Sequence, residues 1–490
     1  MSHLLEPNLQ RAAFGELLVA EPSPVIQVQF PYNINSDLIE SRENNAGTIT
    51  AADGMAVIQS GASANSAAHM LSIEPLKYEP GQGALVRFTA LFTAGVANST
   101  QLAGIGDVGD GLFFGFNGDA FSILRRELGG PEVQTVTVTN GATTTSGNIT
   151  ITLDGETRVV AVVEDDTARE VAVKIANADW TDVGLGWTAY VNNATVILKS
   201  WSDGDKSGSM SFADTDTTGV AASLAETLAG ASVSNEWVAQ ASWNLDLADG
   251  TGTLPSLDPT KGNVYQIQYQ WLGFGLLTFA IENPTTGKFI DVHQIRYANA
   301  NTVPSLQNPT LPLHIMAKNT SNTSNLTVKT SSMAGFVEGK IEEAPLHRAA
   351  TGVNAAVATT EIPILSIRND VVHQSKLNRV QIEAEELSVA TEGTKPIILR
   401  VRLNPTLTGT PAFAAYDAAV SVASVDVAAS GIVGGEAILT FALGKADSKL
   451  ISLSALKERL HPGSMVTLTA EATSGSGHEV DVALSWGELF

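Results

Sequence analysis

The chain has 490 residues and not one cysteine, so disulfides, thiol nucleophiles and Cys-ligated zinc are all excluded. Its formal charge of −23, from 51 acidic against 28 basic residues, repels phosphate backbones and argues against nucleic acid as a partner. At 44% hydrophobic it is long enough for several cores, no apolar run reaches membrane-span length, so no membrane insertion is expected, and the first residues lack the charged and apolar regions of a signal peptide.

Residues 1–70 do not read as a compact domain. Leu9, Ala13, Leu17 and Ala20 predict a short helix over 9–20, which Pro22 and Pro24 end. Ile26, Val28 and Phe30 then alternate with Gln27 and Gln29 as a strand closed by Pro31. With nothing local to pack against, helix and strand either dock on another polypeptide or pack on the chain's own sandwich. The reading adopted is an N-terminal attachment arm over 1–70, with Ile26, Val28 and Phe30 as its partner-docking residues.

From 71 to 132 the pattern has a period of two. Val86, Phe88, Ala90 and Phe92 make one apolar row; Leu112, Phe114 and Phe116 make a second, and Phe121 and Ile123 a third. Between them GIGDVG at 104–109 has the spacing of a dinucleotide-binding loop. The next residues alternate as a strand and offer no helix N-terminus to hold a pyrophosphate, so the glycines are turn residues and no cofactor is expected.

The texture changes near Val133. Val136 and Val138, then Ile149, Ile151 and Leu153, predict a hairpin around Asn140 and Gly141. TARE at 167–170 is a capping box, and Val171 and Ile175, four apart, give its helix a buried face. Because the sandwich pattern resumes near Ser234, residues 133–232 are read as a small α+β module inserted into a sandwich formed by 71–132 and 233–340. Within it Asp203, Asp205, Ser207, Gly208 and Asp214 copy positions of a calcium loop. The last position is Asp rather than a bidentate Glu, and a strand precedes the loop where a helix belongs. A solvated turn is preferred and no metal is expected.

In the second half of the sandwich Tyr265, Ile267, Tyr269 and Trp271 face one way and Gln266, Gln268 and Gln270 the other. This row is read as a core face in preference to a sugar-stacking platform. NPTTG at 283–287 joins two strands as a hairpin, and 338–345 is a polar linker. Beyond it, over 346–490, strand patterns at 364–367, 379–387, 396–403, 437–443, 465–470 and 480–486 predict a second β-sandwich.

No G-x-S-x-G, H-E-x-x-H or P-loop lysine occurs. His293, His314, His347 and His373 are isolated and read as polar residues, not ligands. A glycosidase draws its two acids from distant strands, so that reading would use Asp246, Glu282 or Asp291, though nothing pairs them. No catalytic, cofactor-binding or metal residues are assigned, and a non-enzymatic scaffold is expected.

FTALFTAG at 88–95 together with GIGDVGDGLFFGFNGDAFSILRRELG at 104–129 resembles the first half of a concanavalin A-like sandwich found in virion proteins of tailed phages and some large viruses; residues 262–300 resemble its second half. Residues 13–35 resemble openings of the same proteins, 133–232 a module recurring in phage tail-sheath and fibre proteins, and 367–413 the group's C-terminal domain. The resemblance implies a mainly β fold: a concanavalin A-like jelly-roll sandwich with an inserted small α+β domain and a C-terminal β-sandwich. It also implies a structural component of a virus particle, a tailed phage above all, assembled in the host cytoplasm. Attached by its arm, the chain would display its sandwiches on tail, baseplate or capsid, with other virion proteins and copies of itself as partners. The first alternative is a receptor-binding fibre taking a host-surface glycan; the second is a polysaccharide-degrading enzyme.

Overall fold

The computed structural model describes residues 21–206, 208, 210–341, 345–456 and 458–490; the helix predicted over 9–20 lies outside them. The chain forms two units, one running to Leu128 and resuming at Val233, the other holding Gly129–Ser232 and the chain beyond the linker.

The first unit is an antiparallel two-sheet sandwich. One sheet runs in the order Ser234–Ala239, Ala120–Glu127, Gly111–Asn117, Ser99–Gly106, Leu311–Asn319, Ala67–Leu76 and Ile39–Asn44. The other is centred on Gly83–Phe92. On one side this strand pairs with Asn263–Tyr269, which leads to Leu277–Glu282 and Phe289–Ile295. On the other it pairs with Ser332–Glu338 and then Thr327–Thr330, the latter leading to Met55–Gln59 and Thr48–Ala52.

Alternation turns one face of each sheet inward. Val86, Phe88 and Phe92, Tyr265, Ile267 and Tyr269, and Leu112, Phe114, Phe116, Phe121 and Ile123 meet in one core. The Phe114 ring centre lies 4.8 Å from that of Tyr265 and 5.5 Å from that of Phe279. Burying each such ring contributes on the order of 1.5–3 kcal/mol. Trp271 is half-buried against the same core, its indole N–H donating to the Leu306 carbonyl at 3.0 Å.

This core corrects the docking-arm reading of Ile26, Val28 and Phe30. Their strand, Pro22–Gln29, pairs with Ser332–Glu338 of the same unit, and the three side chains are 4%, 6% and 1% exposed within the sandwich core. Residues 39–70 are no attachment segment either, since they supply outer strands to both sheets. The cause is distance along the chain: the Ser23 hydroxyl donates to the Gly339 carbonyl, 316 residues on, at 2.7 Å. Pro22 and Pro24 suit an outermost strand, where a missing N–H costs no ladder bond, and the register shifts between Pro24 and Ile26.

The chain leaves this sandwich at Glu127 and returns at Ser234, two residues that are cross-strand partners. Backbone bonds between Gly130 and Ala231, at 2.9 and 3.0 Å, close the neck of the inserted module, which has its own core. The hairpin predicted around Asn140 and Gly141 does not form. Pro131–Asn140 pairs with Thr195–Asp203 and Ala221–Leu228, whereas Gly147–Leu153 lies in a separate sheet with Glu156–Val162 and Ser211–Asp214. Gly141 instead permits a close approach, since a Cβ there would sit 2.1 Å from the Asp166 carbonyl oxygen. The helix Ala168–Ala176 is closed by its capping box: the Glu170 N–H donates to Thr167 Oγ1 at 3.3 Å and the Thr167 N–H to Glu170 Oε2 at 2.8 Å. Val171 and Ile175 are buried beneath it.

The C-terminal sandwich faces a sheet of Leu346–Val357, His478–Leu489, Gln381–Thr391 and Ser448–Ser452 against one containing Ala423–Asp426, Ile362–Asn369, Met465–Ala472, Ile397–Leu403 and Glu436–Leu443, around a core that includes Trp486. The architecture is therefore mainly β: a jelly-roll sandwich, an inserted α+β module and a C-terminal β-sandwich.

Candidate functional site

Several polar residues of the first unit hold its loops in place. GIGDVG turns Ser99–Gly106 into Gly111–Asn117, and Gly104 lets the two strands close, since a Cβ would fall 2.2 Å from the Leu112 carbonyl oxygen. Asp107 Oδ1 accepts from the amides of Gly109 and Asp110, at 2.8 and 3.1 Å. Asp110, 3% exposed, accepts from the amides of Gln307 at 2.8 Å and Asn308 at 3.3 Å, tying this turn to a loop nearly two hundred residues away. Asp246 does the same for its own loop: Oδ1 accepts from the Ala248 amide at 2.8 Å, Oδ2 from those of Thr253 and Leu254 at 2.6 and 3.1 Å.

Beside the GIGDVG turn is Arg125, which no sequence pattern singled out. Its guanidinium contacts Glu127 at 2.6 Å and Glu236 at 2.8 Å, donates to the Ser305 carbonyl at 3.0 Å, and lies 5.0 Å from the centre of the Tyr297 ring. Burial opposes its charge, but the bonds to Glu127 and Glu236 outweigh that and leave its pKa raised. The Tyr297 hydroxyl is pushed up, by burial first and then by Glu127.

His314 is not isolated. Its Nε2 lies 3.2 Å from His69 Nδ1, the two rings stack with centres 5.4 Å apart, and Phe113 meets His314 edge-on at 5.6 Å. Phe114 points into the core, so by alternation Phe113 and this pair occupy the opposite face of the sheet, beside Leu102, Leu124 and Met316. Burial, followed by the charges of Arg126 and Arg42, presses the His314 imidazole down to about 3. His69 is held well below its ordinary value by burial and then by His314.

The other candidates are scattered. The His293 Nδ1 accepts from the Asn244 amide at 3.2 Å, and burial lowers its pKa. Glu282 and Asp291 lie on adjacent strands, Leu277–Glu282 and Phe289–Ile295, and partial desolvation raises the Asp291 carboxyl. His347 bonds Glu385 at 2.9 Å, and His373 lies edge-on to Phe490. In the calcium-like loop Ser207 lies outside the described residues. Asp214 there accepts from the amides of Thr218 and Gly219, at 2.8 and 2.9 Å. Among the described residues no group of three His, Asp or Glu is placed to hold a metal ion.

No family model matches the chain, and no curated protein does. Among solved structures, the metal-free carbohydrate recognition domain of Emp46p aligns over 62% of this chain and 90% of its own, at 9% identity and a TM-score of 0.23. The metal-free form of lectin I-B4 from Griffonia simplicifolia aligns over 64% and 99%, at 14% identity and a TM-score of 0.21. A structure of the triple jelly roll fold and turret assembly of an archaeal virus aligns over 97% and 98%, at 7% identity and a TM-score of 0.16. Likenesses at these scores carry no argument about ligand or role.

Proposed function

We propose that the chain is a structural component of a virus particle, of the tailed-phage kind, that displays its sandwiches on the particle and catalyses no reaction. The observation that carries this reading is what the polar groups of the first unit's loops do. Asp107, Asp110 and Asp246 hold backbone amides, and Arg125 is enclosed by two glutamates and a carbonyl. Groups committed in this way fix long loops, as a load-carrying surface protein requires. A catalytic acid or base needs a free lone pair or proton facing a substrate. The likeness of 88–129, 262–300 and 367–413 to virion proteins supports the particle itself.

Mass spectrometry and immunogold labelling of purified particles test the proposal. Peptides from both units at a fixed copy number, with gold on tail, baseplate or capsid, are expected. Recovery of the chain only from the unassembled fraction would overturn it. Turnover of host polysaccharide by the purified chain, abolished by replacing one carboxylate, would do the same.

A further inference from the structure

A cavity of about 410 Å³ opens in the second unit, within the roughly 300–1,000 Å³ range of small-molecule sites. The helix Ala168–Ala176 supplies Arg169 and Val173, the adjoining hairpin Tyr190 and Asn193, and the C-terminal sandwich Arg368, Asn404 and Phe413. The walls are close-fitting here: a Cβ on Gly463 would lie 2.5 Å from the Tyr190 ring. In a chain with 51 acidic residues to 28 basic ones, the cavity is lined by two arginines and no carboxylate.

Both cations are incompletely matched. Arg169 has no hydrogen bond or ion pair among the described residues, and it stands in the first turn of a helix, where the dipole disfavours positive charge. Arg368 directs Nε and Nη2 to one oxygen of Asp370, at 2.9 and 2.7 Å, and packs 4.2 Å from the centre of the Phe413 ring. Its Nη1 is buried with no partner. Leaving a buried donor unpaired is costly, and burial disfavours the Arg169 charge with only the neighbouring Glu170 to offset it. Asn404 accepts from the Met465 amide through Oδ1 at 2.8 Å, and its NH₂ group has no acceptor among the described residues.

We propose that this cavity binds a saccharide residue bearing a carboxylate, as in a uronic or sialic acid. The guanidinium groups of Arg169 and Arg368 match the planar carboxylate, a geometry arginine serves better than lysine. Asn193 and Asn404 offer amides to ring hydroxyls, and Val173, Phe413 and Met465 form the apolar wall against which a sugar ring lies. A phosphate group is the poorer fit. The helix N-terminus beside the cavity, the ordinary source of amides for phosphate, is already closed by Thr167 and Glu170. This inference does not depend on the particle assignment, and a soluble chain suffices to test it.

The test is titration calorimetry on the full chain with glucuronic acid, N-acetylneuraminic acid, glucose and inorganic phosphate. The acid sugars should bind at least tenfold more tightly than glucose and phosphate. Arg169→Ala, a helix-favouring change at a side chain without hydrogen-bond partners, should weaken acid-sugar binding at least tenfold with the melting temperature unchanged. Arg368→Lys, which keeps the charge and loses the fork, should weaken it as well. Absence of binding by either acid sugar would overturn the proposal. So would glucose or phosphate binding as tightly as the acid sugars, or full affinity in Arg169→Ala.

Discussion

The first unit should lose stability as the pH falls from about 7.5 to about 5.5, and His314 supplies a calculable part of that loss. Burial and the nearby Arg126 and Arg42 hold its folded-state pKa at about 3, while an unfolded chain protonates histidine near pH ~6.5. The unfolded state therefore takes up its proton first. The contribution of neutral His314 is fully present above about pH 6.5 and is lost as the pH falls from there toward about 3. At about pH 5.5, roughly nine in ten unfolded chains carry that proton, which amounts to on the order of 1 kcal/mol. His69, pressed down by burial and by His314, works in the same direction. For a unit of this size a loss on the order of 1 kcal/mol is roughly 2–4 °C in Tm. The assay is urea unfolding followed by tryptophan fluorescence at the two pH values, on the natural chain and on His314→Leu. Leucine does not titrate and no longer presses His69 down, so acidification should cost the natural chain on the order of 1 kcal/mol more than the variant. Equal losses in both would refute the reasoning, because other groups would then carry the whole pH dependence.

Arg125→Ala should cost the first unit about 3–5 kcal/mol, because Glu127 would stay buried without its counter-charge; Arg125→Lys should recover only part of this. An unchanged urea midpoint in Arg125→Ala would show that the cluster does not stabilise the first unit. Phe30→Ala should destabilise the isolated chain by about 3–5 kcal/mol, as for any core phenylalanine, whereas a docking arm would leave that midpoint where it was. Thr167→Ala should cost about 1 kcal/mol of local helix stability, seen as faster amide exchange across Ala168–Ala176 with no effect on the first unit.

Period-two rows were legible wherever burial on one side of a sheet imposed them. Val86, Phe88, Ala90 and Phe92, and Tyr265, Ile267 and Tyr269, face the core because each inward position is apolar, and no partner needs to be known to see it. The capping box was legible for a similar reason: Thr167 and Glu170 are local, and both halves of the interaction lie within one turn. Pairing partners were not legible. Ile26, Val28 and Phe30 showed one apolar face and no neighbour, and an arm was the natural inference when the neighbour lay at Ser332–Glu338. Asn140 and Gly141 imitate a hairpin turn, but the strands they separate belong to different sheets. Their role there lies in a close approach and in the bond from Asn140 to the Gly219 carbonyl.

The polar constellations were hidden by the same distance. His69 and His314 meet through the pairing of Ala67–Leu76 with Leu311–Asn319, and Arg125 finds Glu236 because Ala120–Glu127 pairs across the insertion with Ser234–Ala239. Composition misleads in a further way. A charge of −23 opposes a long polyanion, whose phosphates sample the whole surface field. A single carboxylate inside a cavity samples something else. Beyond about 8 Å the exposed acids are largely screened at physiological salt, so what it meets first is the lining, Arg169, Arg368 and the amides beside them, with Asp370 and Glu170 behind the two cations. An acidic chain thus lines one cavity with basic side chains only. The sequence exposes only the first, because Arg169 and Arg368 lie almost two hundred residues apart until the second unit folds.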